Sequence, residues 1–302
     1  TYQKYKKELG NILNYDFSKE NETLLIYKNK KVYKLFKNAE ISIKRVKKSG
    51  LYPNAFPKCK ELPSKSGYSY QYMKGKTLYE ESSKENLVNL LNFLENNLWS
   101  LKPKNINLNN DGYSFYKEKT LKRINLIEKK FNFNQIKSIN NQEIRYISII
   151  PPFRYKDIIS NIHPSPIHGD LQYDNILVDN DKNFLLIDWR HEFGDNIEFG
   201  DLYYDLAKLL GGVLLNYKKI KQGKFEANLN KDDKNISYKY DEDKYVKEHQ
   251  EIIYEFHFRN KLDINNTRKL LSLIYINMAP LHEPPFDLML LAFANKLFWS
   301  NE

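Results

Sequence analysis

The reading of this chain turns on Ile167-His168-Gly169-Asp170-Leu171-Gln172-Tyr173-Asp174-Asn175-Ile176-Leu177 and on Phe184-Leu185-Leu186-Ile187-Asp188 shortly after it. His-Gly-Asp alone carries little information. The spacing carries more, because Asn175 follows Asp170 by five residues and Asp188 closes the next apolar run. The runs Asn175-Ile176-Leu177-Val178 and Phe184-Leu185-Leu186-Ile187 flank Asp179-Asn180-Asp181-Lys182-Asn183, a turn-forming cluster, and predict a β-hairpin. Such a hairpin brings Asn175 and Asp188 near each other. The competing reading is a surface hairpin with incidental Asp and Asn.

Those residue types suit phosphoryl transfer, which asks a protein mainly for positioning and for neutralisation of charge spread over the moving group's oxygens. Asp170 is the candidate catalytic carboxylate, orienting or deprotonating an acceptor hydroxyl. Asn175 and Asp188 are the candidate metal ligands, offering a neutral and a charged oxygen to magnesium, a hard cation that prefers oxygen. His168 reads as a brace for the loop and not as a chemical participant.

On these residues the chain resembles the aminoglycoside phosphotransferase and choline kinase group of small-molecule kinases. The group's loop reads His-Gly-Asp, then Asn five residues on, then Ile-Asp a hairpin later. Here the match is Ile167-His168-Gly169-Asp170, Asn175-Ile176-Leu177 and Ile187-Asp188. Gly200-Asp201-Leu202-Tyr203-Tyr204-Asp205-Leu206-Ala207 is similar to the group's Gly-Asp-Pro…Tyr-Asp-Leu-Ala segment, with Leu202 where Pro is common. Asp188-Trp189-Arg190-His191-Glu192-Phe193-Gly194 resembles a subset written Asp-Pro-Arg-Gly-x-Phe-Gly, linked to bacterial capsule and surface polysaccharide biosynthesis, from which Trp189 and His191 depart. The specific match runs from about Ile167 to Leu209. The resemblance implies an α+β, bilobal protein-kinase-like fold with a small β-rich N-terminal lobe and a larger, mostly helical C-terminal lobe. It also implies ATP or GTP and Mg2+ as cofactors, and a small-molecule acceptor.

Bulk properties agree with a globular enzyme. The chain has 302 residues, 41% hydrophobic and 28% charged, enough to bury a core in one bilobal domain or two ordinary ones. One cysteine, Cys59, excludes an intramolecular disulfide framework and points to a reducing compartment. The first residues lack a secretory signal's apolar segment, and no run approaches the roughly 18 apolar residues of a membrane span. The expectation is a soluble cytoplasmic protein; a chain beginning at Thr1 suggests trimming or a larger parent. The formal charge of +10 invites a nucleic-acid reading, but the lysines are spread among abundant Asn and Ile, with no dense Arg cluster or zinc spacing.

Upstream, Glu22-Thr23-Leu24-Leu25-Ile26-Tyr27 and Lys31-Val32-Tyr33-Lys34-Leu35-Phe36 predict a hairpin around Lys28-Asn29-Lys30. Alternation puts Val32, Lys34 and Phe36 on one face. Lys34 is then an inward lysine for the nucleotide's phosphates, or else part of an edge strand blunted with lysines. The phosphate-covering segment is expected at Asp16-Phe17-Ser18-Lys19-Glu20-Asn21. A helix over Asn38 to Lys48 makes Glu40 either the partner holding Lys34 or a solvated helix-start glutamate. Tyr68 to Leu78 reads as the last strand of the small lobe and a connector. The resemblance implies that adenine meets the main chain of Gln71, Tyr72 and Met73 there. Gly75 marks the boundary between a nucleotide-binding lobe, residues 1–74, and a catalytic and substrate-binding lobe, residues 75–302.

Helices are expected over Glu85 to Leu101, Tyr113 to Phe133, Gln142 to Ile150, Tyr155 to Ile162, Tyr204 to Leu215, Lys244 to Arg259, Asn266 to Asn277 and Phe286 to Phe298. A second hairpin is expected over Gly223 to Leu229 and Asn235 to Tyr240. Asp205, near a helix start, is a candidate support for the His168 loop. Arg190 either meets an anionic substrate group or forms a salt bridge, and Trp189 is a candidate for the substrate's surroundings. A protein kinase fits less well, since Asp188 to Asp205 leaves no room for a usual activation segment and His-Gly-Asp lacks the Arg of His-Arg-Asp. A nucleotide-binding pseudokinase has no chemical need for Asp170, Asn175 and Asp188 together.

Overall fold

The computed structural model describes residues 13–16, 22–27, 30–102, 105–130, 136–144 and 149–299. In chain order its main elements begin with strands β1 (Leu13–Asp16), β2 (Glu22–Tyr27) and β3 (Lys31–Phe36), helix α1 (Ala39–Leu51), and strands β4 (Lys60–Glu61), β5 (Gly67–Gln71) and β6 (Lys76–Thr77). Helix α2 (Lys84–Asn97) follows, then a π-helical turn (Tyr113–Glu118) running into α3 (Lys119–Lys130), strands β7 (Ser138–Ile139) and β8 (Gln142–Glu143), and α4 (Tyr155–Ser160). Strands β9 (Ile176–Val178) and β10 (Phe184–Leu186) precede helices α5 (Leu202–Leu214) and α6 (Tyr217–Lys221). The chain ends with β11 (Phe225–Asn230), β12 (Asn235–Tyr240), α7 (Val246–Arg259), α8 (Ile264–Met278) and α9 (Phe286–Trp299). The phosphate-covering segment expected after Asp16 lies outside the described residues.

Contacts divide the chain into two units, residues 1–100 with 166–200, and residues 101–165 with 201–302. In the first, an antiparallel sheet has the order β1-β2-β3-β5-β4. Period-two alternation in β3 buries Val32, Lys34 and Phe36 on one face, as the sequence predicts. Lys34 pairs across to Tyr68 on β5. Asn38 caps α1 by accepting the Glu40 amide at 3.0 Å. A second sheet, in the order β10-β9-β6, sets Ile176 opposite Leu186 and Leu177 opposite Thr77. A side chain at Gly75 would put its Cβ 2.8 Å from the Val178 carbonyl oxygen, so glycine permits the approach of β6 to β9.

The second unit is organised on α5, whose residues from Leu202 to Leu214 are all buried. A helix apolar on every side is a central one, and α7 and α8 both pack on it. Helix α9 packs on α8, and the sheet β11-β12-β7-β8 carries Tyr238 and Tyr240 onto Phe293 of α9. The helix expected from Gln142 is a hairpin instead: Asn140 and Asn141 both take positive φ, the two-residue turn that joins β7 to β8. The described part of the helix expected over Tyr113 to Phe133 begins as a π-helical turn. No helix among the described residues is long and apolar enough to cross a membrane.

Candidate phosphoryl-transfer site

The loop between Ile167 and Ile176 is fixed by its own side chains. His168 is fully buried. Its Nε2 lies 2.9 Å from the Ile187 carbonyl and its Nδ1 accepts the Asp170 amide at 3.1 Å. One nitrogen therefore donates and the other accepts, an arrangement that only the neutral Nε2–H tautomer satisfies. Burial agrees, pushing the imidazole down to about 3. His168 thus braces the loop against Ile187, the residue between β10 and Asp188. Gly169, between His168 and Asp170, takes φ +83°, and a Cβ there would sit 2.6 Å from the Arg190 Cβ.

Asp170 is held from its far side. Gln172 Nε2 donates to its Oδ1 at 2.9 Å, and Asn175 Nδ2 donates to its main-chain oxygen at 2.8 Å and to Oδ2 at 3.3 Å. Committing the Asn175 amide nitrogen to Asp170 orients Oδ1 of the same amide as its acceptor face. The Ile187 amide donates to the Asn175 carbonyl at 2.9 Å, which closes the hairpin immediately before Asp188.

Asp188 is strained, with φ +62° in a residue that has a Cβ. Its Oδ1 receives Lys34 Nζ and, at 3.2 Å, Arg45 Nη1. The carboxylate thus sits where cations gather. An aspartate and an asparagine amide oxygen are hard donors of the kind magnesium favours. Among the described residues no three His, Cys, Asp or Glu side chains form a metal cage of their own. A magnesium site here would therefore draw its remaining ligands from water and phosphate.

The fold around this geometry has relatives. The sequence model described as the phosphotransferase enzyme family matches residues 141–238. Aminoglycoside phosphotransferase APH(2'')-Ib in its ADP-bound form superposes with a TM-score of 0.52 at 18% identity, over 98% of each chain. Choline kinase LicA from Streptococcus pneumoniae does so with a TM-score of 0.50 at 14% identity, over 99% of this chain and 98% of that one. The chain has the small-molecule kinase fold. The GDP and kanamycin complex of a further APH(2'') enzyme gives 0.53 at 13% identity, over 99% of both. No curated protein matches by sequence.

Within this fold the remaining expected residues fall out as follows. Lys34 points inward, but the residue it meets is Asp188. Glu40 is exposed and pairs with Lys44 one turn along α1, at 2.6 Å, so the structure joins Lys34 to Asp188 and Glu40 to Lys44. The Tyr72 amide is already donated to the Lys30 carbonyl at 2.6 Å, Gln71 is paired with Lys31 in the sheet, and Met73 follows beyond the strand. Trp189 was expected near substrate. Its side chain is instead completely buried, against Phe56 and Tyr68, with its indole N–H donated to the Arg45 carbonyl at 3.1 Å. Arg190 donates its amide to the His168 carbonyl at 2.8 Å. Asp205 is fully buried in the first turn of α5, in the second unit.

Sequence reasoning missed the basic face of α1. Lys44 reaches Glu192 at 2.5 Å, Arg45 reaches Asp188, and Lys48, 2% exposed, donates to the Arg190 carbonyl at 3.1 Å. The available signal was the helical spacing of Ser42, Arg45 and Ser49, a polar stripe where an amphipathic helix normally carries apolar side chains. Glu192 and then Glu40 raise the Lys44 ammonium above its ordinary range. Asp201 was also passed over as a structural residue. Its Oδ1 accepts the His163 and Tyr203 amides at 3.1 Å, and Tyr116 donates to Oδ2 at 2.8 Å. Burial nevertheless pushes its carboxyl up to about 7.

Proposed function

We propose that this chain transfers the γ-phosphoryl group of ATP or GTP to a hydroxyl of a small molecule. One observation carries the reading: Asp170 is clamped by His168, Gln172 and Asn175 on a loop whose following strand delivers Asp188 to a buried lysine. Asp170 orients the acceptor hydroxyl and takes its proton as the new bond forms. Asn175 and Asp188 would hold magnesium, which when bound neutralises charge on the phosphate oxygens. Lys34 steadies the phosphates, and main-chain groups near Met73 meet the base. Because this chemistry needs little beyond alignment and charge, the rigid bracing of Asp170 supports a catalytic role for it.

The acceptor class is a hydroxylated metabolite, such as a sugar, polyol, nucleoside or choline-like alcohol. The fold shared with aminoglycoside phosphotransferases and a choline kinase supports that class. A place in bacterial surface polysaccharide synthesis rests on Asp188-Trp189-Arg190 and Phe193-Gly194 alone. A cytoplasmic setting and a nucleotide-binding lobe ending near Gly75 belong to the same proposal.

The test is magnesium-dependent ADP release across a panel of alcohols, with label from ATP followed into metabolites and into protein. The expected outcome is label in a metabolite, and a loss of about 10²–10⁴-fold in Asp170→Asn with the fold intact. Near-normal turnover in Asp170→Asn or Asp188→Ala would remove the assignment. Label in protein bands would favour a protein kinase.

A further inference from the structure

Helix α1 meets the Asp188 segment with cations at positions 44, 45 and 48. Lys44 is on Glu192, Arg45 on Asp188 and Lys48 on the Arg190 carbonyl, while the Trp189 indole returns a hydrogen bond to the Arg45 carbonyl. The Arg45 guanidinium lies 5.1 Å from the centre of the Phe36 ring, a contact that helps to fix it. It shares Asp188 Oδ1 with Lys34. The two cations come from different elements, Lys34 from β3 and Arg45 from α1.

We propose that Arg45 is a positioning residue that competes with the divalent cation for Asp188 and so sets the metal concentration at which the site becomes competent. The inference rests on the reading of Asp188 as a metal ligand. A divalent ion bound at Asp188 shares its carboxylate with Arg45 and Lys34, and like charges repel at such range. Arg45, a cation held on the same carboxylate, therefore opposes the arrival of the metal. Lys34 has an alternative anion in the phosphates of the proposed nucleotide, whereas the Arg45 guanidinium lies over Phe36 and its main chain is tied to the Trp189 indole. Its bond to Asp188 thus acts as a threshold opposing metal entry.

The test measures binding and not turnover. Mn2+ is titrated by electron paramagnetic resonance into the full chain with a non-hydrolysable ATP analogue present. Metal-free binding of the same analogue is measured separately in chelator. Arg45→Met removes the charge but keeps side-chain bulk over Phe36, and leaves Asp188 paired with Lys34. Losing one charge-assisted hydrogen bond should tighten Mn2+ binding about tenfold. Arg45→Lys restores the cation and should return affinity to within about threefold of the unsubstituted chain. Thermal melting of each variant confirms that it is folded. Unchanged or weaker Mn2+ binding in Arg45→Met overturns the proposal. So does a large loss of metal-free nucleotide binding, which would make Arg45 a phosphate contact. If the unsubstituted chain binds no Mn2+ with the analogue, the reading of Asp188 as a metal ligand fails as well, and the two failures are told apart.

Discussion

His168 shows what one buried imidazole contributes to a loop. Its two nitrogens face a carbonyl and an amide, so a second ring proton would point at the Asp170 N–H. Neutrality is thus built into the geometry, and the stability consequence has a definite sign. The unfolded chain binds a proton on this ring near pH 6.5, whereas the folded chain resists until about 3. As pH falls through that window the unfolded state takes up the proton first, so stability is full above 6.5 and declines toward 3. We expect urea unfolding to report roughly 2–3 kcal/mol lost between pH 6.5 and 4.5 from this group. In His168→Asn, whose amide can also donate and accept, that part of the pH dependence should disappear; an unchanged slope would contradict it. The bracing of the loop was legible because Asp170 and Asn175 lie five positions apart on one short segment. The expectation for Trp189 lacked what decides its place, since its burial depends on Phe56 and Tyr68, far away in sequence.

Among elements, the strands were read well where alternation is strong, and β2 and β3 have the expected bounds. Helix α1 was legible as a helix but not as a docking face. Its partners on the 188–192 segment are more than 140 positions away, and local periodicity cannot register them. Asn140-Asn141 is a turn signal that was overlooked when the apolar residues after it were read as helical. Lys44 makes a comparison possible within a single element, since it has an exposed partner on α1, Glu40, and a partly buried one on the loop, Glu192. Solvent screening and side-chain entropy should leave the exposed i,i+4 pair the weaker of the two. Double-mutant cycles by urea unfolding are expected to give about 1 kcal/mol for Lys44 with Glu192. Coupling to Glu40 should be smaller. Equal couplings would mean that the Glu192 contact does not hold α1 to the loop.

At the scale of the molecule, the chain leaves its first unit after residue 100, returns for residues 166–200, and leaves again. Such an interleaved division is made by pairings such as Leu177 with Thr77 and by the Leu78 amide on the Tyr173 and Ile176 carbonyls, which join segments far apart in sequence. The fold was legible regardless, since the one segment with chemical spacing also carries the hairpin on which the site is built. Net charge is the remaining whole-molecule property, and it makes its own prediction. A formal +10 attracts any polyanion, yet three of the positive groups around Asp188 are committed inward: Lys34 and Arg45 to its carboxylate and Lys48 to the Arg190 carbonyl. Binding to duplex DNA should then come from dispersed surface lysines and be governed by counterion release. Retention measured by filter binding should fall steeply, by about 10³-fold or more from 50 to 200 mM salt, with no sequence preference. ATP should leave that retention unchanged, because the buried Lys34 proposed for its phosphates is not a surface lysine. A complex that persists at 200 mM salt, discriminates between sequences and is displaced by ATP would show that the basic surface and the site are one, and would replace a metabolite acceptor with a nucleic-acid one.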